Sequence, residues 1–188
     1  MINRTTLAAA AAAALLASPL VAQDAKKTAT GADRTFVTGA ANGGMLEIQS
    51  SELANIKAQR DDVKSFASTL IKDHTKANEE LKAAAQKAGI TVPSKMDTKH
   101  QAQMDRLKAA TAANFDRAFI DTQVTAHREA VGLFRDYSKT GRNDALRTFA
   151  ERTLPVLEQH ETTARDMQKE GSPATGAGAG AGSTGKSK

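Results

Sequence analysis

Three of the four histidines in this chain, His74, His127 and His160, each fall in the middle of the apolar stripe of a different long helix predicted from residue spacing. An imidazole in that position needs a hydrogen-bond partner or a metal, because burying it alone is costly. Imidazole suits Zn, Cu, Fe and Ni, and one carboxylate would complete a plausible ligand set. The sharp reading is therefore a single divalent metal ion held inside a helical bundle by the three histidines and an acid from the first helix. Two acids are candidates. Glu52 shares the stripe of Ile48 and Ile56, whereas Glu47 follows the Gly43–Gly44 pair and points away from that stripe on an unbroken helix. The bland reading makes the rings satisfied core residues, bonded to Asp116, Gln123, Thr153, Thr163, Asn78 or a backbone carbonyl. His100, the fourth histidine, sits with Met96, Met104 and Leu107 on a connecting segment, so an inward histidine can also suit this fold without any ion.

Other chemistries lose ground on residue types. A two-iron oxidase of the bundle type needs Glu-x-x-His on two helices, but the residues three before the histidines are Ile71, Val124 and Leu157. No cysteine is present, which removes disulfides, thiolate ligands and a cysteine nucleophile. No G-x-S-x-G elbow supports a hydrolase triad, and no strand leads into a glycine-rich phosphate loop. Asp73, next to His74, turns about 100° away and is expected to face solvent or a helix edge. Asp116 shares the face of His127 but lies about 16 Å along the helix, so its expected partner is on the fourth helix.

The elements that must position the histidines read as all-α, because apolar residues recur at three- and four-residue spacing with no alternating run. The first helix is expected over residues 36–58, inward at Met45, Ile48, Glu52 and Ile56 and disturbed at Gly43–Gly44. The second starts at Asp61 or Asp62 and stops before Gly89, inward at Val63, Phe66, Leu70, His74, Ala77, Leu81, Ala84 and Ala88. Pro93 and Ser94 open a crossover helix over residues 95–110, with Ser94 and Asp97 at capping-box spacing. The third long helix spans residues 114–138, with His127 between Ile120, Val124, Val131 and Phe134. The fourth spans residues 143–169, with His160 among Leu146, Phe149, Thr153, Leu157, Ala164 and Met167, and with Pro155 expected to kink it. Two hairpins joined by a long crossover define a ferritin-like four-helix bundle with helices two and three parallel. In that topology His74 and His127 share mid-height, and His160 lies roughly 7 Å along the axis from them.

Residues 1–22 place Arg4 ahead of an Ala/Leu run that ends in small residues, the layout of a secretory signal peptide cleaved near Ala22. The run is short for a membrane span and no second one follows, so the expected mature protein is periplasmic or otherwise exported, without a transmembrane span. Residues 23–34 read as a flexible lead-in, 35–169 as the bundle, and 170–188 as a Gly/Ala/Ser-rich tail too poor in apolar surface to fold. The formal charge is +5 and mixed in sign, with one Tyr and no Trp. Together with export, that argues against a nucleic-acid partner and leaves an unidentified protein or envelope partner.

The string SFASTLIKDHTKANEELKAAAQKAGITVP, then NFDRAFIDTQVTAHREAVGLF, then LPVLEQH, resembles the bacterial family catalogued as domain of unknown function 4142, over residues 36–167. The resemblance implies a ferritin-like fold in exported proteins and no established activity. The family's acidic position after the glycine pair falls on Glu47. The leading functional reading is a non-catalytic envelope protein, tied by association to stress tolerance or partner binding. Its rival is a single-metal-binding protein or metalloenzyme using His74, His127, His160 and Glu47 or Glu52.

Overall fold

The computed structural model describes residues 28–171. The expected signal peptide, residues 23–27 of the lead-in and residues 172–188 of the tail lie outside them. Among the described residues there are five helices and no strand: α1 (Gly31–Lys57), α2 (Asp61–Ala88), α3 (Thr98–Ala109), α4 (Ala112–Thr140) and α5 (Asp144–Glu170).

Local chemistry sets most boundaries. α1 begins five residues earlier than spacing suggested, inside the expected lead-in, because Thr30 and Asp33 form a reciprocal capping box. α2 ends at Gly89, whose φ of 69° is the left-handed conformation that glycine adopts without strain. α3 is shorter than expected, 12 residues, since Asp97 rather than Ser94 is its N-cap and accepts from His100 N at 2.9 Å. Asn143 caps α5 through Leu146 N, and that helix continues through Pro155.

Contacts at the ends fix the direction of the long helices. Asp116, near the start of α4, accepts from the backbone N–H groups of Gln59 and Arg60 just ahead of α2, at 3.0 and 2.9 Å. The expected partner on α5 is thus replaced by orphan donors at the α2 N-terminus, where a carboxylate is favoured. At the opposite end, Tyr137 near the end of α4 donates to Asp33 near the start of α1. So α2 and α4 run parallel, and α1 runs against both. Each long helix packs on two others: α1 on α2 and α4, α5 on α2 and α4, with α3 lying across α1 and α4. Buried Asn42 anchors the crossover by accepting from Asp97 N at 2.7 Å.

Two apolar cores fill the bundle from its ends. One joins Phe36, Val37, Leu81, Val131, Phe134, Tyr137, Leu146, Phe149 and Leu157. The other joins Ala54, Val63, Phe66, Leu70, Leu107, Phe115, Phe119, Ile120, Ala164 and Met167. Between the two cores each long helix buries polar residues, beside a small third apolar cluster of Leu46, Met104 and Ala126.

α1 corrects its expected stripe. The buried face carries Phe36, Ala40, Gly44, Glu47, Ser51 and Ala54, while Met45 and Ile48 are only half-buried and Ile56 is 81% exposed. Small side chains let the neighbours come close: a Cβ on Gly39 would meet Leu133 Cδ2 at 2.9 Å. Met45, Ile48 and Ile56 therefore do not mark the inward side of this helix.

Candidate metal centre

The polar layer at mid-height is built from Glu47, Ser50 and Ser51 of α1, His74 of α2, Gln123 and His127 of α4, and Thr153 and His160 of α5, all buried. Helical periodicity carries each of them inward, and the two cores above and below seal them from water. One ligand nitrogen from each of His74, His127 and His160 can be chosen so that all three lie within 4.8 Å of one another. The axial offset expected of His160 does not separate it from the other two.

The contacts of two rings determine which nitrogen carries the proton. His127 Nδ1 lies 3.0 Å from the backbone carbonyl of Gln123, so Nδ1–H donates there and Nε2 keeps its lone pair, the acceptor side facing His74. His160 Nε2 lies 3.1 Å from Asp73 Oδ2, so Nε2–H donates to the carboxylate. Its Nδ1 is then a lone pair that is buried and has no partner. His74 Nε2 sits 3.4 Å from His127 Nε2. Nitrogens bound at 2.0–2.1 Å to one tetrahedral ion are about 3.4 Å apart, so this pair already has the separation of two ligands. An imidazole bound to a metal donates its other N–H to a carboxylate or carbonyl, as His160 and His127 do here.

Electrostatics favour the neutral rings that a cation requires. Burial pushes His74 well below the ordinary imidazole range, with the other two rings adding to it. Burial and His160 bring His127 down to about 3. Burial also lowers His160, against an upward pull from Asp73.

Of the two candidate acids, Glu47 is inward and Glu52 is exposed. The expectation that Glu52 faces the interior is corrected, because it rested on the stripe of Ile48 and Ile56. Glu47 Oε1 stands 3.6 Å from His127 Nδ1, the side of that ring facing away from His74 Nε2, and Glu47 is not a member of the three-residue cluster. Burial pushes its carboxyl up to about 8, against a hydrogen bond with Gln123 that lowers it. At neutral pH it is thus largely an uncharged acid backing the ligand set.

Asp73 faces a helix edge as spacing indicated, but spacing did not name its partner. It does turn away from the stripe of His74, but α5 packs on that side and brings His160 to it. Adjacent Asp and His on one helix, with a second inward histidine on a neighbouring helix, was the only available signal. A small cleft of about 150 Å3 between α2 and α5, lined by Asp73, His74, Glu80, Arg152 and His160, gives an ion a route to the rings.

Among buried side-chain atoms lacking a partner are Glu47 Oε2, Ser51 Oγ, Gln123 Oε1 and His160 Nδ1, all in this layer. Each such atom costs about 1–3 kcal/mol. A structural layer would be expected to satisfy its own donors and acceptors.

The sequence model described as domain of unknown function (DUF4142) matches residues 18–167. No curated protein matches the sequence. Among solved structures, the chain is similar to CopM in its Cu(II)-bound form, with 21% identity and a TM-score of 0.63 over 73% of this chain and 96% of that one. The Ag-bound form of CopM gives 21% identity and a TM-score of 0.61 over 74% and 96%. A DUF305 fragment from Deinococcus radiodurans gives 14% and 0.66 over 76% and 99%. At these identities the likeness is one of all-helical fold. No described helix is long and apolar enough to cross a membrane.

Proposed function

We propose that this chain, which belongs to the DUF4142 family, binds one transition-metal ion through His74, His127 and His160 at the centre of a ferritin-like bundle. The observation that carries this reading is the convergence of the three rings within 4.8 Å, with the buried Nδ1 of His160 left without a partner. A cation supplies the partner that the protein does not. Glu47 and Asp73 act from behind the ligands: Asp73 raises the basicity of His160, and Glu47 provides an uncharged polar wall.

Copper is the first expectation and zinc the second. Neutral imidazoles suit both, and copper binds more tightly at a given nitrogen site. CopM, similar in fold, occurs in Cu(II)-bound and Ag-bound forms, which supports the same order. Residues 1–22 read as an export signal, which would place the site in the periplasm or beyond. That location is compatible with a non-catalytic envelope role in which the bundle sequesters or carries an ion.

The test is elemental analysis of protein purified from its native compartment, beside the triple variant His74→Ala, His127→Ala, His160→Ala. One equivalent of copper or zinc in the parent and none in the variant is the expected result. A parent that stays metal-free on dialysis against either ion, with its helices intact, would overturn the proposal.

A further inference from the structure

A second cavity, of about 400 Å3, lies beneath α3 and is bounded by α1, α2, α4 and α5. Its wall is mostly apolar, with Leu81, Leu133, Phe134, Phe149 and Leu157, and the rings of Phe134 and Phe149 lie 5.6 Å apart at a tilt. The cavity opens to solvent at the α3 edge, where Lys99 and Glu129 are exposed, and it exceeds the gaps left by ordinary dense packing. An apolar cavity of about 150 Å3 can take up benzene.

Gly43 shows that the space is not imposed by the backbone. A glycine inside a helix costs about 1 kcal/mol relative to alanine. A Cβ on Gly43 would meet no atom within 4 Å, and the residue lines the cavity. Neither a turn nor a close approach requires glycine there, in contrast to Gly44, where a Cβ would meet Asn78 Oδ1 at 2.2 Å. A larger side chain at Gly43 would have open space at the cavity wall to occupy.

Two further lining residues supply polarity. Glu47 keeps Oε2, and Gln103 keeps Oε1, buried and without a hydrogen-bond partner. The charged residues at the α3 edge, Lys99 and Glu129, are paired with each other. The lining therefore offers two buried polar atoms without a partner, and its Lys–Glu pair is mutually satisfied, which suits a guest with one hydrogen-bonding group.

We propose that this cavity binds a neutral, single-ring organic molecule carrying a hydroxyl group, with the ring against Phe134, Phe149 and Leu133 and the hydroxyl toward Gln103 and Glu47. Of the histidine triad only His74 lines the cavity, so this site stands apart from the metal reading although it adjoins it.

The experiment is a fluorine NMR titration of 4-fluorophenol into the metal-free full chain, repeated with Gly43→Leu and Gly132→Leu. Gly132 is also a helical glycine with no atom within 4 Å of an added Cβ, but it does not line the cavity. One-to-one saturable binding is expected for the parent and Gly132→Leu, weakened at least tenfold in Gly43→Leu. Fluorobenzene should bind more weakly than the phenol. Nuclear Overhauser contacts from the bound probe to the ring protons of Phe134 and Phe149 test the location even if Gly43→Leu misfolds. No saturation at millimolar probe, equal binding by a folded Gly43→Leu, equal binding of fluorobenzene, or absent contacts would overturn the proposal. A protein that binds the phenol yet takes up no copper or zinc would sink the metal reading alone, and the reverse outcome would sink this one alone.

Discussion

His160 Nε2 lies 3.1 Å from Asp73 Oδ2, so a carboxylate on α2 holds a ring on α5 and leaves its other nitrogen buried without a partner. Asp73→Asn keeps the shape and removes the charge. Metal affinity should fall about 10- to 100-fold, the usual effect of losing such a partner. Because the Asp73 side chain is 33% exposed, metal-free stability should change little. Competition titration with a chromophoric chelator reads the first, and urea unfolding the second. An unchanged affinity would deny Asp73 its positioning role.

The pH dependence of metal-free stability should have a maximum near pH 6.5. The three histidines are held below their ordinary value of 6.5, so below that pH the unfolded chain takes up protons that the fold refuses. Stability is then lost as pH falls from 6.5 toward about 3, the value reached by His127. Glu47 works in the opposite direction. Held at about 8 against 4.5, it keeps a proton that the unfolded chain releases, and stability is lost as pH rises from 4.5 through 8. Each uncompensated proton is worth about 1.4 kcal/mol per pH unit. Glu47→Gln should flatten the decline above pH 6.5 and steepen the rise between pH 4.5 and 6.5, where its slope no longer opposes that of the histidines. Urea midpoints from pH 5 to pH 9 decide it, and a parent midpoint still rising at pH 8 would contradict it.

Gly43 and Gly44 should respond in opposite directions to alanine. Gly43→Ala has room for its Cβ and should gain up to about 1 kcal/mol from helix propensity. Gly44→Ala drives a Cβ into Asn78 Oδ1 and should destabilise the protein. Thermal unfolding of the two single variants is sufficient, and shifts of the same sign would contradict the packing described for α1.

Tyr137→Phe should cost about 1–3 kcal/mol, since it strips a hydrogen bond from a buried carboxylate. The donor is Tyr137, the acceptor Asp33, and both are nearly inaccessible to solvent. The ring stacked on Phe36, at a centroid distance of 4.0 Å, would remain. Metal stoichiometry should be unaffected, because residue 137 lies about 15 Å along α4 from His127. Loss of metal in a folded Tyr137→Phe would show the two ends of the bundle to be coupled.

Much of this protein can be read from residue order, because a helix repeats every 3.6 residues and its apolar stripe shows which residues face inward. On α2, α4 and α5 those stripes are built from large side chains, so the all-helical architecture and the inward placement of His74, His127 and His160 were legible. On α1 the buried face from Ala40 to Ala54 is, apart from Leu46, made of small and polar residues, and the stripe drawn through Ile48 and Ile56 selected Glu52 instead of Glu47. Only tertiary structure decided which acid is enclosed, that Asp73 meets His160, which ring nitrogens stay free, and that Gly43 borders a cavity. The physical reason is that periodicity defines the face of a helix but not the neighbour against it, and hydrogen bonds between helices depend on that neighbour.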